Sequence, residues 1–438
     1  MLNLFGNDHR TCDGMNRRNF LSVGALGALG GLSMISLPDL LRARAEAQAQ
    51  GRATQDTSVV WLWLGGGATH VETFDPKMTA PAEFRSTVGA VQTNLAGVQI
   101  GGLLPRIGTV ADKMAFVRSF AHGTGSHGAG TYWVNTGYAS RNNEGAGAQA
   151  HPSSGSILSR SRGTNHPRTG VPTYVRLGNI TGDGAAWLGR AYEPFATSGQ
   201  ARLNMEPRVT VEQLQDRRAL SQAFDSVNRE IDSTGMLDGL DQYGRQAYEL
   251  VQGNARQAFD TTRENARTRE QYGRGLGVQM LLARRLCEAG CGFVTINYGG
   301  WDMHGQIANA LRRRCGELDQ AVSAFVRDTV DRGLDRKILL VITGEFGRTP
   351  RINRNAGRDH WGSLCTLALA GGGLRMGQTV GESSSKVERP ATAPIAPIDL
   401  KATVLHALGL PRDLQFTSPL GRPTYMIEGG RAIRELVA

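Results

Sequence analysis

Cysteine and lysine are both scarce in this chain of 438 residues. Five cysteines are too few for a disulfide-rich scaffold, and a four-thiolate zinc site would need a second closely spaced pair. Cys287 and Cys291 flank a predicted helix end and can pair in an oxidising compartment, whereas Cys315 and Cys365 are expected to be buried single thiols. The sequence therefore excludes a fold that depends on many disulfides.

Only five lysines are present, so arginine supplies nearly all of the positive charge behind the formal net charge of +10. Arginine binds carboxylate, sulfate and phosphate groups through a planar fork of N–H donors, which is compatible with an anionic substrate. An arginine-rich solvated surface gives the same composition. The sequence contains no nucleic-acid-binding motif and no alternation of aromatic and basic residues, so we expect no nucleic-acid partner.

The chain lacks an apolar run that is clearly long enough to span a bilayer. The nearest is a glycine-rich stretch, Leu21 to Leu37, preceded by Arg17-Arg18 and followed by the alternating alanines of Ala43 to Ala49. This order is typical of an export signal, and the paired arginines indicate the twin-arginine route. We predict that residues 1–49 are a signal peptide, with an uncleaved anchor as the alternative. The twin-arginine export machinery is then a partner, the protein is periplasmic or otherwise exported, and it touches the membrane only through the signal segment.

Short apolar runs bounded by glycine or turn residues recur along residues 50–438, which is typical of buried parallel strands. Helical patterns separate several of them, notably Ile307 to Arg332. This alternation predicts an α/β domain whose mostly parallel sheet is covered by helices on both faces. The predicted strands are Ser58 to Leu64, Met114 to Phe120, Pro172 to Leu177, Gly292 to Asn297, Lys337 to Ile342 and Leu364 to Ala370.

Two regions depart from that alternation. Residues 209–289 are polar, nearly free of proline and helical in period, which predicts a helical insertion within the 50–438 domain. A lid or an oligomerisation arm are alternative roles for this insertion. Gly371 to Pro397 is rich in Gly, Ser, Thr and Pro, so we expect a long surface loop before a final helix, Leu400 to Leu408.

Acidic and histidine residues follow the predicted strands where each strand ends. Asp302 and His304 come after the fourth strand, Glu345 after the fifth, and Asp359 and His360 shortly later. Ligands bind at the carboxyl ends of strands in open α/β sheets, so these side chains predict a divalent metal site. Zinc, manganese and calcium are all candidates, and the mixture of imidazole and carboxylate suits zinc, manganese or iron better than a purely oxygen-ligated calcium site.

The first predicted strand ends in a glycine-rich segment that adds His70, Glu72 and Asp75 as further candidate metal ligands. The segment lacks the Gly-Lys-Ser/Thr of a nucleotide-binding loop. Structural roles remain open for the later residues, since an aspartate such as Asp302 often caps a helix and Glu345 can form an internal ion pair with Arg348.

Together these segments resemble a bacterial exported family, domain of unknown function 1501. The resemblance covers the leader and essentially all of residues 50–438, and its Thr-Gly-Glu-Phe-Gly-Arg-Thr-Pro motif at 343–350 is highly specific. The other shared motifs are Gly-Gly-Gly-Ala-Thr-His at 65–70, Thr-Phe-Asp-Pro-Lys at 73–77, Trp-Asp-Met-His at 301–304 and Gly-Arg-Asp-His-Trp at 357–361. That family is similar to the sulfatases and alkaline phosphatases, which implies a doubly wound, mostly parallel sheet with metal ligands at strand carboxyl ends.

The resemblance also implies individual roles. Asp302 and His304 correspond to an aspartate and histidine that ligate one metal, and His360 to a later metal-binding histidine assisted by Asp359. Glu345 stands where the superfamily has the aspartate of an Asp-His pair, but Phe346 replaces the histidine. Glu72 or Asp75, with His70 close by, corresponds to the aspartate of the first strand end.

The resemblance also implies a position for the nucleophile, which, counted back from a Thr-Gly pair at 136–137, falls on His127. The chain has no sulfatase-type Cys-x-Pro-Ser-Arg segment, so Ser126, Thr131 or a metal-activated water are the alternatives. Arg348 and Arg358 are predicted to neutralise a sulfate or phosphate oxygen in the transition state.

The resulting prediction is an exported metal-dependent hydrolase of sulfate or phosphate esters. Its substrate would be an anionic small molecule or a carbohydrate ester. The alternative is a non-catalytic exported metal- or ligand-binding protein that keeps the fold without a nucleophile.

Overall fold

The computed structural model describes residues 56–139, 150–197 and 255–437, which belong to one compact unit of the chain, Ala53–Ala438. The predicted signal peptide and residues 209–254 of the predicted insertion lie outside the described residues. Among the helices of these three ranges, none is both long and apolar enough to cross a membrane.

The six strands predicted from apolar runs are all present, and both ends of each lie within three residues of the predicted ends. Chain order gives β1 (Ser58–Trp63), β2 (Ala90–Gln92), β3 (Gln99–Gly101), β4 (Met114–Val117), β5 (Tyr174–Leu177), β6 (Phe195–Ala196), β7 (Phe293–Asn297), β8 (Ile338–Thr343), β9 (Gly347–Arg348), β10 (His360–Trp361), β11 (Leu367–Gly371), β12 (Gln378–Val380), β13 (Gln415–Thr417) and β14 (Pro423–Tyr425).

Eight of these strands form one sheet in the order β12-β4-β11-β8-β1-β7-β5-β6. Every neighbouring pair is parallel except the two pairs made by β11, so a mostly parallel sheet is confirmed. β1, β7 and β8 lie side by side, with Trp63 opposite Asn297 and Thr343. Their carboxyl ends therefore meet at one edge of the sheet.

Helices cover both faces of the sheet. In chain order they are α1 (His70–Thr73), α2 (Pro105–Gly108), α3 (His127–Thr136), α4 (Ser154–Arg162), α5 (Ala255–Phe259), α6 (Ala266–Tyr272), α7 (Leu276–Glu288), α8 (Ile307–Asp331), α9 (Pro397–Ala407) and α10 (Arg434–Val437). Val60 and Leu62 pack with α7 and α8 on one face, whereas Val59, Trp61 and Trp63 pack with α4 and α9 on the other. Because both faces of β1 are buried, its sequence is a continuous apolar run.

The sequence between Gly371 and Pro397 is more ordered than predicted. It contributes β12, which pairs in parallel with β4, and it packs Ser383 and Val387 against residues that follow β1. A three-residue edge strand within a Gly- and Ser-rich segment has no apolar run to reveal it. Outside β12 the segment is irregular and mostly half-buried or exposed, and α9 follows it, as predicted.

Cys287 and Cys291, which the sequence allows to pair, are both free, buried thiols. The Cys291 thiol instead lies 3.6 Å from the carbonyl of Thr173 and 3.4 Å from that of Phe293. Cys315 and Cys365 are buried single thiols as expected, and burial raises the pKa of each to about 12.

Candidate metal centre

Four segments of the chain bring polar side chains to the carboxyl edge of the sheet. The loop after β7 carries Asp302 and His304, and the loop after β8 carries Glu345. His360 begins β10, which pairs with β9 as a short antiparallel ladder, and His127 is the first residue of α3. Three of the segments that the sequence predicts to converge, those of Asp302, Glu345 and His360, therefore lie together in the fold.

Asp302 lies in the middle of this cluster. Its Oδ1 atom is 2.9 Å from His304 Nε2, 3.1 Å from His360 Nε2 and 2.6 Å from Arg348 Nη2, and its Oδ2 atom is 3.5 Å from His127 Nε2. Partial burial raises the pKa of Asp302, but the hydrogen bond and the positive charge of Arg348 outweigh it and hold the pKa well below its usual range. The carboxylate is therefore ionised throughout the neutral pH range.

Each of the three imidazole rings is anchored through its Nδ1 atom. The anchors are Glu345 Oε1 for His127 at 2.7 Å, Asp359 Oδ1 for His304 at 2.7 Å, and the carbonyl of Gly125 for His360 at 2.8 Å. Carbonyl and carboxylate oxygens only accept, so these partners assign the proton to Nδ1 and leave a lone pair on Nε2. An imidazole held this way by a second group is the usual arrangement of a metal ligand.

Two of these lone pairs face each other. His304 Nε2 lies 3.0 Å from His360 Nε2, and both atoms lie near the Asp302 carboxylate. Two acceptor nitrogens at this separation repel unless a proton or a cation lies between them. A single cation bound by both nitrogens and by the carboxylate removes that repulsion.

His127, Asp302 and His360 offer one ligand atom each, all within 4.8 Å of one another, the one such group found in the described parts of the chain. His304 adds a third imidazole close to two of them. Three nitrogens and a carboxylate oxygen suit zinc, manganese or iron better than calcium. The side chains of His127, Asp302 and His304 are about half exposed, so the centre is open to a ligand.

The chain was compared with known protein families, with curated proteins and with solved structures. Residues 56–437 match a protein family described as protein of unknown function (DUF1501). The chain belongs to the DUF1501 family. No curated protein sequence matches it.

Several solved structures are weakly similar to this DUF1501 protein. A sulfatase from Pseudoalteromonas sp. has a TM-score of 0.37 and 13% identity, covering 85% of this chain and 70% of that one. The phosphonate monoester hydrolase of Silicibacter pomeroyi has a TM-score of 0.40 and 12% identity, covering 86% and 76%. A TAB5 alkaline phosphatase has a TM-score of 0.34 and 12% identity, covering 81% and 98%.

Glu345 and Arg348 of the DUF1501 protein are buried residues that hydrogen-bond to the candidate ligands His127 and Asp302. Glu345 is almost fully buried, and its Oε1 atom accepts both His127 Nδ1–H and the backbone N–H of Gly66, so it orients a ligand. Arg348 is fully buried and donates to Asp302 and to the carbonyls of Gly66, Gly67 and Arg358. The predicted contact of Arg348 with a substrate oxygen is therefore wrong, because its donors are already bound within the protein.

Arg358 is placed differently from the prediction as well. Its guanidinium is fully buried, bonded through Nε and Nη2 to Glu72 Oε1, with its other donors on the carbonyls of Thr349, Pro350, Phe84 and Arg85. No donor is left for a substrate. Glu72, predicted to be a metal ligand, is instead the buried partner of Arg358 and also accepts from Thr69 and Thr87.

His70 and Asp75 do not join the centre either. His70 is buried, with Nε2 bonded to the carbonyl of Val387 at 3.2 Å, and burial lowers its pKa to about 4. Asp75 is buried beside Arg118 and accepts a hydrogen bond from Ser383. The first strand end therefore supplies the backbone of Gly66 and Gly67 to the site rather than metal ligands.

The two hydroxyl candidates for the nucleophile differ in availability. Thr131 donates its hydroxyl to the carbonyl of His127 at 2.7 Å within α3 and is buried. Ser126 is exposed at the N-cap of α3, where its side chain makes no capping hydrogen bond. Phe346, which replaces the expected histidine, packs its ring against His127 and His360 at centroid distances of 4.9 and 4.6 Å.

Sequence reasoning missed three supporting groups. Gly125 supplies a carbonyl to His360, Asn353 donates to Asp359 at 3.2 Å, and His122 donates to the carbonyl of Glu345 at 2.6 Å. Backbone groups carry no residue-type signal, and His122 was visible only as one more histidine in the loop before α3.

Proposed function

We propose that this protein is an exported metal-dependent hydrolase of sulfate or phosphate esters. The observation that carries the proposal is the convergence of three anchored imidazoles on the Asp302 carboxylate at the carboxyl edge of the sheet. His127, Asp302 and His360 would hold the cation, with His304 as a further ligand. A divalent cation held there supplies Lewis acidity and lowers the pKa of water.

The first turn of α3 supports binding of an anionic ester next to the cation. His127 is the first residue of this ten-residue helix, so the helix amino terminus lies at the centre. In the described part of the chain no acceptor takes the backbone N–H of Gly128 or Ala129, and no side chain caps the helix. Free N–H groups and the positive end of the helix dipole favour an anion at this position.

Water is the nucleophile in this proposal. The Thr131 hydroxyl is bonded to a backbone carbonyl, and histidine occupies the position that the sequence resemblance assigns to a nucleophile. Glu345 keeps the His127 ring oriented with Nε2 toward Asp302, so His127 acts as a ligand in this arrangement. Ser126→Ala should therefore retain hydrolysis within a few fold, whereas loss of activity in this variant would indicate a covalent route through the serine.

Metal analysis of the purified protein tests the proposal directly. We expect about one equivalent of a divalent transition metal, and strongly reduced metal content in the separate variants His127→Ala, Asp302→Ala and His360→Ala. His406→Ala, which changes an exposed histidine on α9, is the matched control and should bind metal normally. A wild-type protein that is folded, binds no added zinc, manganese or calcium and hydrolyses no sulfate or phosphate ester would refute the proposal.

The histidine at position 127, where the resemblance assigns a nucleophile, favours a second candidate, a non-catalytic protein that binds a metal or an anionic ligand at the same centre. A screen of sulfate and phosphate esters with each added metal separates the two functions. Metal binding with ester binding but no turnover would favour the binding protein.

A further inference from the structure

The segment 349–357, here called the rim loop, borders the metal centre. It connects Arg348 with the strand that begins at His360, and both of these residues contact Asp302. Within it, Asn353 Nδ2 donates to the carbonyl of His304 at 3.0 Å and to Asp359 Oδ1 at 3.2 Å. The rim loop therefore lies against the His304 and Asp359 side of the centre.

The backbone of the rim loop is held in one conformation. The carbonyls of Asn355 and Ala356 accept the backbone N–H groups of Gln306 and Ile307 at the start of α8, each at 2.9 Å. Ala356 and Gln306 have φ of +55° and +46°, in the left-handed region that side-chain-bearing residues rarely adopt. Such a conformation persists only where surrounding contacts impose it, so groups on this loop are pre-organised.

The rim loop presents two exposed arginines, Arg351 and Arg354, for which no ion pair is found among the described residues. They differ sharply from Arg348 and Arg358, which are fully buried and bonded to protein acceptors. The backbone N–H of Ile352 donates to the carbonyl of Glu83, so the segment around Glu83 packs against the rim loop. The exposed charges of Glu83 and Arg85 on that segment cancel, and the positive charge of the two rim-loop arginines is therefore not neutralised by it. An exposed guanidinium on a fixed loop is well suited to bind a tetrahedral oxyanion through paired N–H donors.

We propose that Arg351 and Arg354 form a subsite for a second sulfate or phosphate group of the substrate, next to the ester at the metal centre. This inference rests on the proposed function and narrows its substrate class to esters with at least two oxyanions. The half-exposed centre leaves room for such a substrate to extend along the rim loop.

Paired probes test the subsite: a disaccharide carrying one sulfate, the same disaccharide carrying two, and the corresponding mono- and diphosphates. Calorimetric Kd values are measured on metal-loaded protein, together with KM and kcat where turnover occurs. The double variant Arg351→Ser/Arg354→Ser should weaken binding of the doubly charged sulfate or phosphate probe about 10- to 100-fold and change binding of its singly charged partner less than about 3-fold. If only the disulfate or only the diphosphate probe loses affinity in the double variant, that result shows whether the substrate is a sulfate or a phosphate ester.

Arg336→Ser is the matched control, because Arg336 is exposed just before β8 at the amino edge of the sheet, opposite the centre. It should leave all Kd values unchanged. Three results would each overturn the subsite. The first is that Arg336→Ser weakens binding as much as the double variant does, and the second is that the double variant weakens singly and doubly charged probes equally. The third is that the wild type binds no doubly charged probe. Because Kd is read independently of turnover, a protein that binds but does not hydrolyse would refute the hydrolase function and still decide the subsite.

Discussion

At the residue scale, the centre depends on partners that hold each imidazole by its Nδ1 atom. Glu345 Oε1 is the most buried of these anchors, and it is shared between His127 and the backbone of Gly66. The hydrogen bond to Glu345 is the main cause that raises the pKa of His127, against a smaller opposing effect of burial. A buried carboxylate therefore sets both the ring orientation and the basicity of a proposed ligand.

Replacing this anchor should weaken metal binding without unfolding the protein. Glu345→Gln keeps the shape but removes the charge, and loss of such an outer partner typically lowers metal affinity about 10- to 100-fold. Competition with a chelator measures the affinity, and circular dichroism checks the fold. Glu388→Gln, at an exposed glutamate, is the control and should have no effect. Unchanged affinity in Glu345→Gln would show that Glu345 does not act through His127.

At the element scale, the turn after β1 brings two other loops together. Gly66 and Gly67 have φ of +110° and +74°, and their carbonyls accept hydrogen bonds from Arg348. A Cβ at Gly66 would lie 2.6 Å from the backbone nitrogen of Asp302, and a Cβ at Gly67 would overlap the ring of Phe346. The glycines are needed because backbone and ring approach closely, and not only for the turn.

Two glycine variants separate these effects. Gly97 has φ of +76° but open space around its Cβ position, so Gly97→Ala should lose only about 1–2 kcal/mol of unfolding free energy from backbone strain. Gly67→Ala adds the overlap with Phe346 and should lose about 1–3 kcal/mol more, with reduced metal content because Arg348 and Asp302 shift. Urea unfolding of both variants measures the difference. Equal losses would show that the loop accommodates the methyl group.

The contact between α9 and the end of α3 provides a pH-dependent element. Lys401 on α9 is buried, and its Nζ donates to the carbonyl of Thr136 at 2.8 Å and to that of Pro152 at 3.4 Å. Burial lowers the pKa of this lysine from 10.5 to about 7. The unfolded chain therefore binds this proton at higher pH than the folded protein does.

This difference predicts how stability changes with pH. Above about pH 10.5 Lys401 is neutral in both states and contributes nothing; as the pH falls to about 7 the folded protein loses stability, and below that the loss is constant. The loss is at most about 5 kcal/mol. Unfolding free energies measured from pH 7 to 10.5 should rise more steeply for the wild type than for Lys401→Met. Parallel curves for the two proteins would show that this lysine keeps its ordinary pKa in the fold.

At the scale of the whole molecule, the proposed function includes export by the twin-arginine route. Arg17→Lys/Arg18→Lys retains the charge of the leader but removes the paired arginines that the twin-arginine machinery recognises. The variant should accumulate uncleaved inside the cell, as judged by fractionation and by the size of the product. Export at the wild-type level would exclude this route, and the metal content of the purified protein would be unaffected by that result.

The sequence by itself determined the order of elements and the chemistry at the strand ends. Nearly continuous apolar runs predicted β1 and β8, because strands buried on both faces need apolar residues at most positions. The same logic placed Asp302, His304 and His360 at one edge of the sheet, since parallel neighbours end together. These features are encoded locally and so are visible in a short window of residues.

Only the tertiary structure decided which polar residues lie at the centre and which are buried in hydrogen bonds and ion pairs elsewhere in the protein. His127 meets Glu345 across 218 positions of sequence, and Glu72 meets Arg358 across 286, so neither pairing has a local signal. Burial then separates residues of the same type, because a fully buried arginine must bond to protein acceptors, whereas Arg351 and Arg354 are exposed and have no ion pair among the described residues. The partner and the burial of each side chain, and with them its role, are consequences of packing between distant segments.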